Sequence, residues 1–348
     1  MHIGFRRHKQ RLYRALALAR GLNDERTLTR LILSVGMMRH PAARWREGLE
    51  LAEHLRSNFT DGRMHNPWAG ALAFPFLSHG HRDEAEEAMR VVQRTGERTR
   101  DSSLIQAGLY YEGVMAVLDG RFADALDLSQ QLANKGRESG AEVRSRVLAQ
   151  IVYRIPLLYL GRGAELLATP VTLEEDPVAS GAYGAVTLAY AGQLEEANLL
   201  INQIMVQYHV LTEGTEIPAA ILCYLLEAAV LVSDTQAMAI LCELLAVLPP
   251  MAFVGTVFAS PTRLMGTAVA LLGKPDEARK YYAQALDICT KTRFRPEIAL
   301  IRLSLAELLL EHYPDEHDAA IKHLDFAIAE FREMKMQPSL ERALRRAY

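Results

Sequence analysis

Apolar residues recur along this chain at the three- and four-residue spacing of helices. No segment alternates apolar and polar positions with the two-residue period of a strand. In FRRHKQRLYRALALAR, residues 5–20, Leu12, Leu16 and Ala19 share one face, which predicts a helix. The clearest longer pattern is Arg263–Leu286, RLMGTAVALLGKPDEARKYYAQAL, where two helical runs are parted by Gly273. Gly266 lies seven residues before that glycine, Ala278 five after it, Tyr282 four further on and Ala285 three further still. Each position has a physical job. A small residue inside the first helix lets the second approach, and glycine ends the first helix in the left-handed conformation it adopts cheaply. An early alanine fills the crossing point, and a large residue one turn later packs into the next pair.

The same spacing recurs at Ala73, Gly80, Ala85 and Met89, at Gly113, Gly120 and Ala125, and at Ala185, Gly192, Ala197 and Ile201. Asp234, Ala239 and Ala246 repeat it without the glycine. Ala320, Leu324 and Ala327 form a last unit, and Gly36, Gly48 and Ala52 a first one with a lengthened turn at Pro41. This is the spacing of a tetratricopeptide repeat, stretched from about 34 residues toward forty. It predicts an all-α, right-handed superhelical solenoid of about seven hairpins, because an amphipathic hairpin cannot bury its face alone and must stack on neighbours. The turns fall at Gly80, Gly120, Gly161, Gly192, Asp234 and Gly273.

One unit departs from the pattern. Arg154 occupies the small position in VLAQIVYRIPLLYLG, and Pro156 is expected to kink its helix. The unit after Gly161 is short, so the superhelix is expected to change direction near residues 155–180, and Thr169–Gly181, TPVTLEEDPVASG, reads as a loop at the boundary between two sub-stacks. The chain thus divides into an N-terminal sub-stack, residues 1–170, and a continuous C-terminal one, residues 171–348. The helix over 5–20 looks like the second of a pair without its first, as in a piece of a longer chain or an exposed binding end.

Composition narrows the function. The chain has 348 residues, half of them hydrophobic, and a formal net charge of −3, which creates no field toward nucleic acid or anionic lipid. Three cysteines in apolar runs, Cys223, Cys242 and Cys289, read as buried reduced thiols of a cytoplasmic protein. The start MHIGFRRHKQ has no apolar core of a signal peptide, and prolines 249 and 250 interrupt the most apolar stretch, Leu244–Ala259.

No catalytic constellation, cofactor motif or metal set emerges. Gly161-Arg-Gly163 lacks the strand and third glycine of a dinucleotide fingerprint. His79 and His81, and His312, His317 and His323, read as polar turn residues, since neither group has ligand spacing. Residues 29–48 loosely match a helix-turn-helix but also fit the first repeat, so nucleic acid is not the expected partner. The expected site is the concave groove lined by first helices. Counting back from the turns places Phe74, Tyr110, Tyr224 and Arg263 there, suited to an apolar helix or extended peptide, or packed against the neighbouring hairpin as core.

Glu277–Glu311, EARKYYAQALDICTKTRFRPEIALIRLSLAELLLE, the ending AIKHLDFAIAEFREMKMQPSLERAL and the forty-residue period resemble the C-terminal helical region of bacterial signal-transduction ATPases, including LuxR-type ATP-dependent regulators and ATPase-linked nucleotide cyclases. In that family the region senses an inducer or partner and controls the ATPase. This chain has no G-x-x-x-x-G-K-[ST] loop, so the resemblance implies the sensor arm alone. Two expectations follow: a non-catalytic module binding a protein segment in its groove, or a regulatory arm that senses a small molecule.

Overall fold

The computed structural model describes residues 72–168, 177–207, 217–253 and 259–347, with the isolated positions 14, 18, 21 and 70. Apart from those positions, the expected N-terminal helix, the first repeat and the 29–48 segment lie outside the described residues, as does 169–176 of the expected loop.

The described residues form an all-helical protein with no strand. Its fifteen α-helices are α1 (Ala73–Ser78), α2 (Arg82–Thr99), α3 (Ser102–Leu118), α4 (Phe122–Glu138), α5 (Glu142–Tyr159), α6 (Ala164–Leu167), α7 (Pro177–Tyr190), α8 (Leu194–Gln207), α9 (Ala219–Val232), α10 (Thr235–Leu245), α11 (Pro261–Leu271), α12 (Pro275–Thr292), α13 (Arg295–His312), α14 (His317–Met334) and α15 (Gln337–Ala347). Each packs on the next in sequence.

The helix ends follow local chemistry. Gly80, Gly120, Gly161, Gly192 and Gly273 all have φ between +73° and +84°, the left-handed turn expected between paired helices. At the fifth of the expected turns the left-handed residue is Ser233, with φ 58°, one place before the expected Asp234. Asp234 instead caps α10, its carboxylate accepting from the Ala237 N–H at 2.9 Å. Asp101 caps α3 and Ser260 caps α11 in the same way. Arg100, Arg293 and Lys335 end α2, α12 and α14, where a cation complements the helix dipole.

One local expectation changes. Residues 177–181 belong to α7 rather than to a loop, because a proline at the first helical position loses no hydrogen bond. Pro156 lies within α5, which runs on to Tyr159. The short unit after Gly161 is the four-residue α6.

The small positions do what the spacing requires. A Cβ on Gly266 would come within 2.8 Å of the Tyr282 ring, on the second helix of its own pair. A Cβ on Gly113 would come within 2.6 Å of Val152, on the next first helix. First helices touch successive first helices from α7 to α15, and α3 touches α5. Of the second helices, only α8 and α10 make substantial contact with each other. The odd-numbered helices therefore form the tighter inner layer and the even-numbered ones the outer.

The curvature brings the two ends of the described chain together. Ala252 N donates to Ser78 O at 2.9 Å, and the Thr292 hydroxyl donates to Leu77 O at 2.8 Å. Gly120 lies against Met334, and Gly161 against Pro338. The apolar link after α10 fills the space between: Met251, Ala252 and Phe253 are fully buried. Its polar groups are paired, with Met251 N donating to the Thr262 hydroxyl and Ser260 donating to Met251 O.

Candidate functional site

The inner layer is an enclosed polar and aromatic interior. Phe74 from α1 and Tyr110 from α3 stack with centroids 5.6 Å apart, and Phe74 meets the edge of Phe253 at 6.3 Å. Phe253 in turn meets Phe294. These rings are buried, and burial pushes the Tyr110 phenol far above its ordinary range.

Beside the rings sits a buried ion pair. Arg263 on α11 donates from Nε and Nη2 to the two oxygens of Glu297 on α13, at 2.7 and 2.9 Å. Glu297 has no exposed surface. It also accepts from the Tyr159 hydroxyl of α5 at 3.1 Å and from Ser260 N at 3.0 Å. Burial opposes the Arg263 charge, but the carboxylate overrides that and holds the guanidinium above its usual value. This carboxylate joins α5 to α11 and α13 across the interior.

A second cluster has a different balance. Arg154 on α5 is only 2% exposed, and its guanidinium carbon lies 3.5 Å from the Tyr183 ring centroid and 4.9 Å from that of Tyr224. Its Nη2 reaches Tyr183 O at 3.5 Å, while Nε and Nη1 are buried without a hydrogen-bond partner. Glu227 on α9 accepts from the Tyr190 hydroxyl at 2.8 Å. Burial raises the Glu227 carboxyl above the usual carboxylate range, although Arg263 and Arg154 pull it down. Glu227 makes no direct ion pair with Arg154 among the described residues.

The four residues placed in a groove by repeat counting are thus all buried on the inner layer, with 6–8% exposure. Phe74 and Tyr110 meet directly, Tyr224 covers Arg154, and Arg263 binds Glu297. Repeat counting missed Glu227, Glu297, Tyr159, Tyr183 and Tyr190 as site residues and set Arg154 aside as a misfit. A signal for two of them was present. Arg154 and Glu227 both lie seven residues before a turn position, Gly161 and Asp234, where the other units carry glycine or alanine. A charge in place of a small residue breaks a local rule of the repeat, and such breaks collect at functional or strained sites.

The outer surface carries less chemistry. A cleft of about 440 Å³ lies over α2, α3 and α4. Its cations are already engaged: Arg82 binds Glu86 and Asp119, and Arg121 binds Asp119 and Asp124. His79 Nδ1 lies 2.8 Å from Pro75 O, and His323 is held below its usual value by burial and by Arg302. Among the described residues no three His, Cys, Asp or Glu side chains come together as a metal-ligand set. Cys223, Cys242 and Cys289 are buried free thiols, and burial pushes Cys242 up to about 11. No described helix is long and apolar enough to cross a membrane.

No protein-family model matches the chain, and no curated protein matches it by sequence.

Proposed function

We propose that this chain is a non-catalytic regulatory arm: a right-handed tetratricopeptide-like superhelix of about seven hairpins that senses a small molecule in its interior. The observation that supports this reading is that Arg154, Glu227, Arg263 and Glu297, from four inner helices, are all buried, the other three within electrostatic reach of Glu227, with Tyr183 of a fifth helix against Arg154. Enclosed sites with a few convergent polar groups suit small ligands. A peptide groove needs its anchors open, whereas Phe74, Tyr110 and Tyr224 are covered.

Side-chain contacts tie the closure. Arg82 donates from Nη1 to Thr292 O and Arg293 O, from Nη2 to Asp119 and from Nε to Glu86, tying α2 to the end of α12. Arg293 returns the contact to Asp83 at 2.6 Å. A ligand that prefers the closed interior strengthens this latch by its differential affinity alone. A partner protein that reads the closed or open form completes a signalling role. The three reduced, buried thiols support a cytoplasmic setting.

Native mass spectrometry of the full chain, purified from its source cells without denaturation, tests the reading. A stoichiometric low-molecular-mass adduct, lost together with a fall in melting temperature on dialysis, is expected. A bare chain that instead captures a single peptide or protein from the same lysate overturns it in favour of a protein-binding module.

A further inference from the structure

We propose that Arg154 anchors a binding site for a small organic monocarboxylate with an apolar or aromatic body, held edge-on by the guanidinium between the rings of Tyr183 and Tyr224. This rests on the sensing role proposed above and assigns its ligand chemistry. Two buried guanidiniums differ in their partners. Arg263 has a complete counter-charge, bound through two nitrogens to Glu297. Arg154 is more deeply buried and has no ion pair. An unpaired buried charge is destabilising, and stacking on aromatic faces offsets only part of that cost.

The rings decide how a ligand approaches. Tyr183 and Tyr224 cover Arg154 at 3.5 and 4.9 Å, so the donors left over lie in the guanidinium plane, Nε on one edge and Nη1 on the other, each edge shared with Nη2. A guanidinium edge matches the planar oxygens of a carboxylate. Tyr183 is only partly buried, which brings the stack to the surface along α7.

Charge decides between anions. A doubly charged phosphate exceeds the one unpaired guanidinium, and its second charge would be buried without a partner. One unpaired guanidinium balances one negative charge. The aromatic lining of Tyr183 and Tyr224 favours an apolar body behind that charge over a sugar or a second acid.

The test uses the full chain, with benzoate and hexanoate as probes and inorganic phosphate and chloride as controls, read by thermal melting and isothermal titration calorimetry. Benzoate or hexanoate is expected to raise the melting temperature saturably, with phosphate and chloride inactive. Arg154→Met is expected to abolish that response while raising the melting temperature of the ligand-free chain, because it removes an unpaired buried charge. Arg154→Lys keeps the charge but loses the planar edge, and weakens binding by roughly tenfold or more, the worth of one charge-assisted hydrogen bond. A wild-type chain indifferent to both carboxylates overturns the proposal, as does a response that survives Arg154→Met. A lower ligand-free melting temperature in Arg154→Met also overturns it, because Arg154 would then be a structural cation. If native mass spectrometry still finds a small-molecule adduct on Arg154→Met, this site assignment falls and the sensing role stands.

Discussion

Replacing Glu297 by alanine tests whether the interior is held by electrostatics or by packing alone. The carboxylate receives four hydrogen bonds, two from Arg263 and one each from Tyr159 and Ser260, and it has no exposed surface. Removing one partner of a buried ion pair costs about 3–5 kcal/mol, because the other charge is left uncompensated. The stranded Tyr159 hydroxyl and Ser260 N–H push the loss to the upper end of that range, since a buried unsatisfied donor costs about 1–3 kcal/mol. Domains are stable by only about 5–15 kcal/mol in total, so Glu297→Ala removes a large part of the margin. The double variant Arg263→Met, Glu297→Met removes the orphan charge as well, and is expected to lose about 2 kcal/mol less than the single alanine variant. Urea unfolding followed by far-ultraviolet circular dichroism measures both, with equal slopes confirming that the midpoints compare stability. A loss below about 1 kcal/mol for Glu297→Ala, or equal losses for the single and double variants, would refute the reasoning.

Two further predictions follow from the turns and the interior acid. Gly192→Ala meets open space and carries only the left-handed backbone cost of about 1 kcal/mol, whereas Gly120→Ala also drives a Cβ into Met334 and should lose about 2–4 kcal/mol. Equal losses in thermal melts would mean that the α3–α4 turn does not meet the end of α14 in solution. The Glu227 carboxyl is raised above its unfolded value, so the folded chain holds a proton that the unfolded chain releases. Stability linked to that group is present below the unfolded value and is lost as pH rises toward the folded one. Glu227→Gln keeps an acceptor for Tyr190 and removes this loss. Its melting temperature, compared with wild type, should rise progressively as pH increases from the ordinary carboxylate range toward neutrality, and a pH-independent difference would count against a raised carboxyl.

The sequence by itself determined the elements. The spacing Gly266, Gly273, Ala278, Tyr282 names a helix, a left-handed turn and two packing positions; Gly273 takes the left-handed φ, Ala278 and Tyr282 are buried, and Tyr282 packs on Gly266 of its own pair, all contacts within about one hairpin. Local chemistry also placed the boundaries, except where it was read too strictly: Pro177 opens α7, and Ser233 takes the left-handed turn that lets Asp234 cap α10. The chemistry of the interior was only half legible. Arg154 stood out as a charge where the repeat is small, but nothing local says that Tyr183 and Tyr224 cover it or that no acid pairs with it. Glu297 is an ordinary first-turn acid in sequence, suited to a helix N-terminus. Only tertiary structure turns it inward onto Arg263 and Tyr159, residues 34 and 138 positions away. Small changes of angle between successive hairpins add up along the array, and their sum decides whether the inner layer is an open groove or a closed interior. Periodicity fixes the hairpin, but the curvature that brings Arg82 to Thr292 is a property of the whole stack.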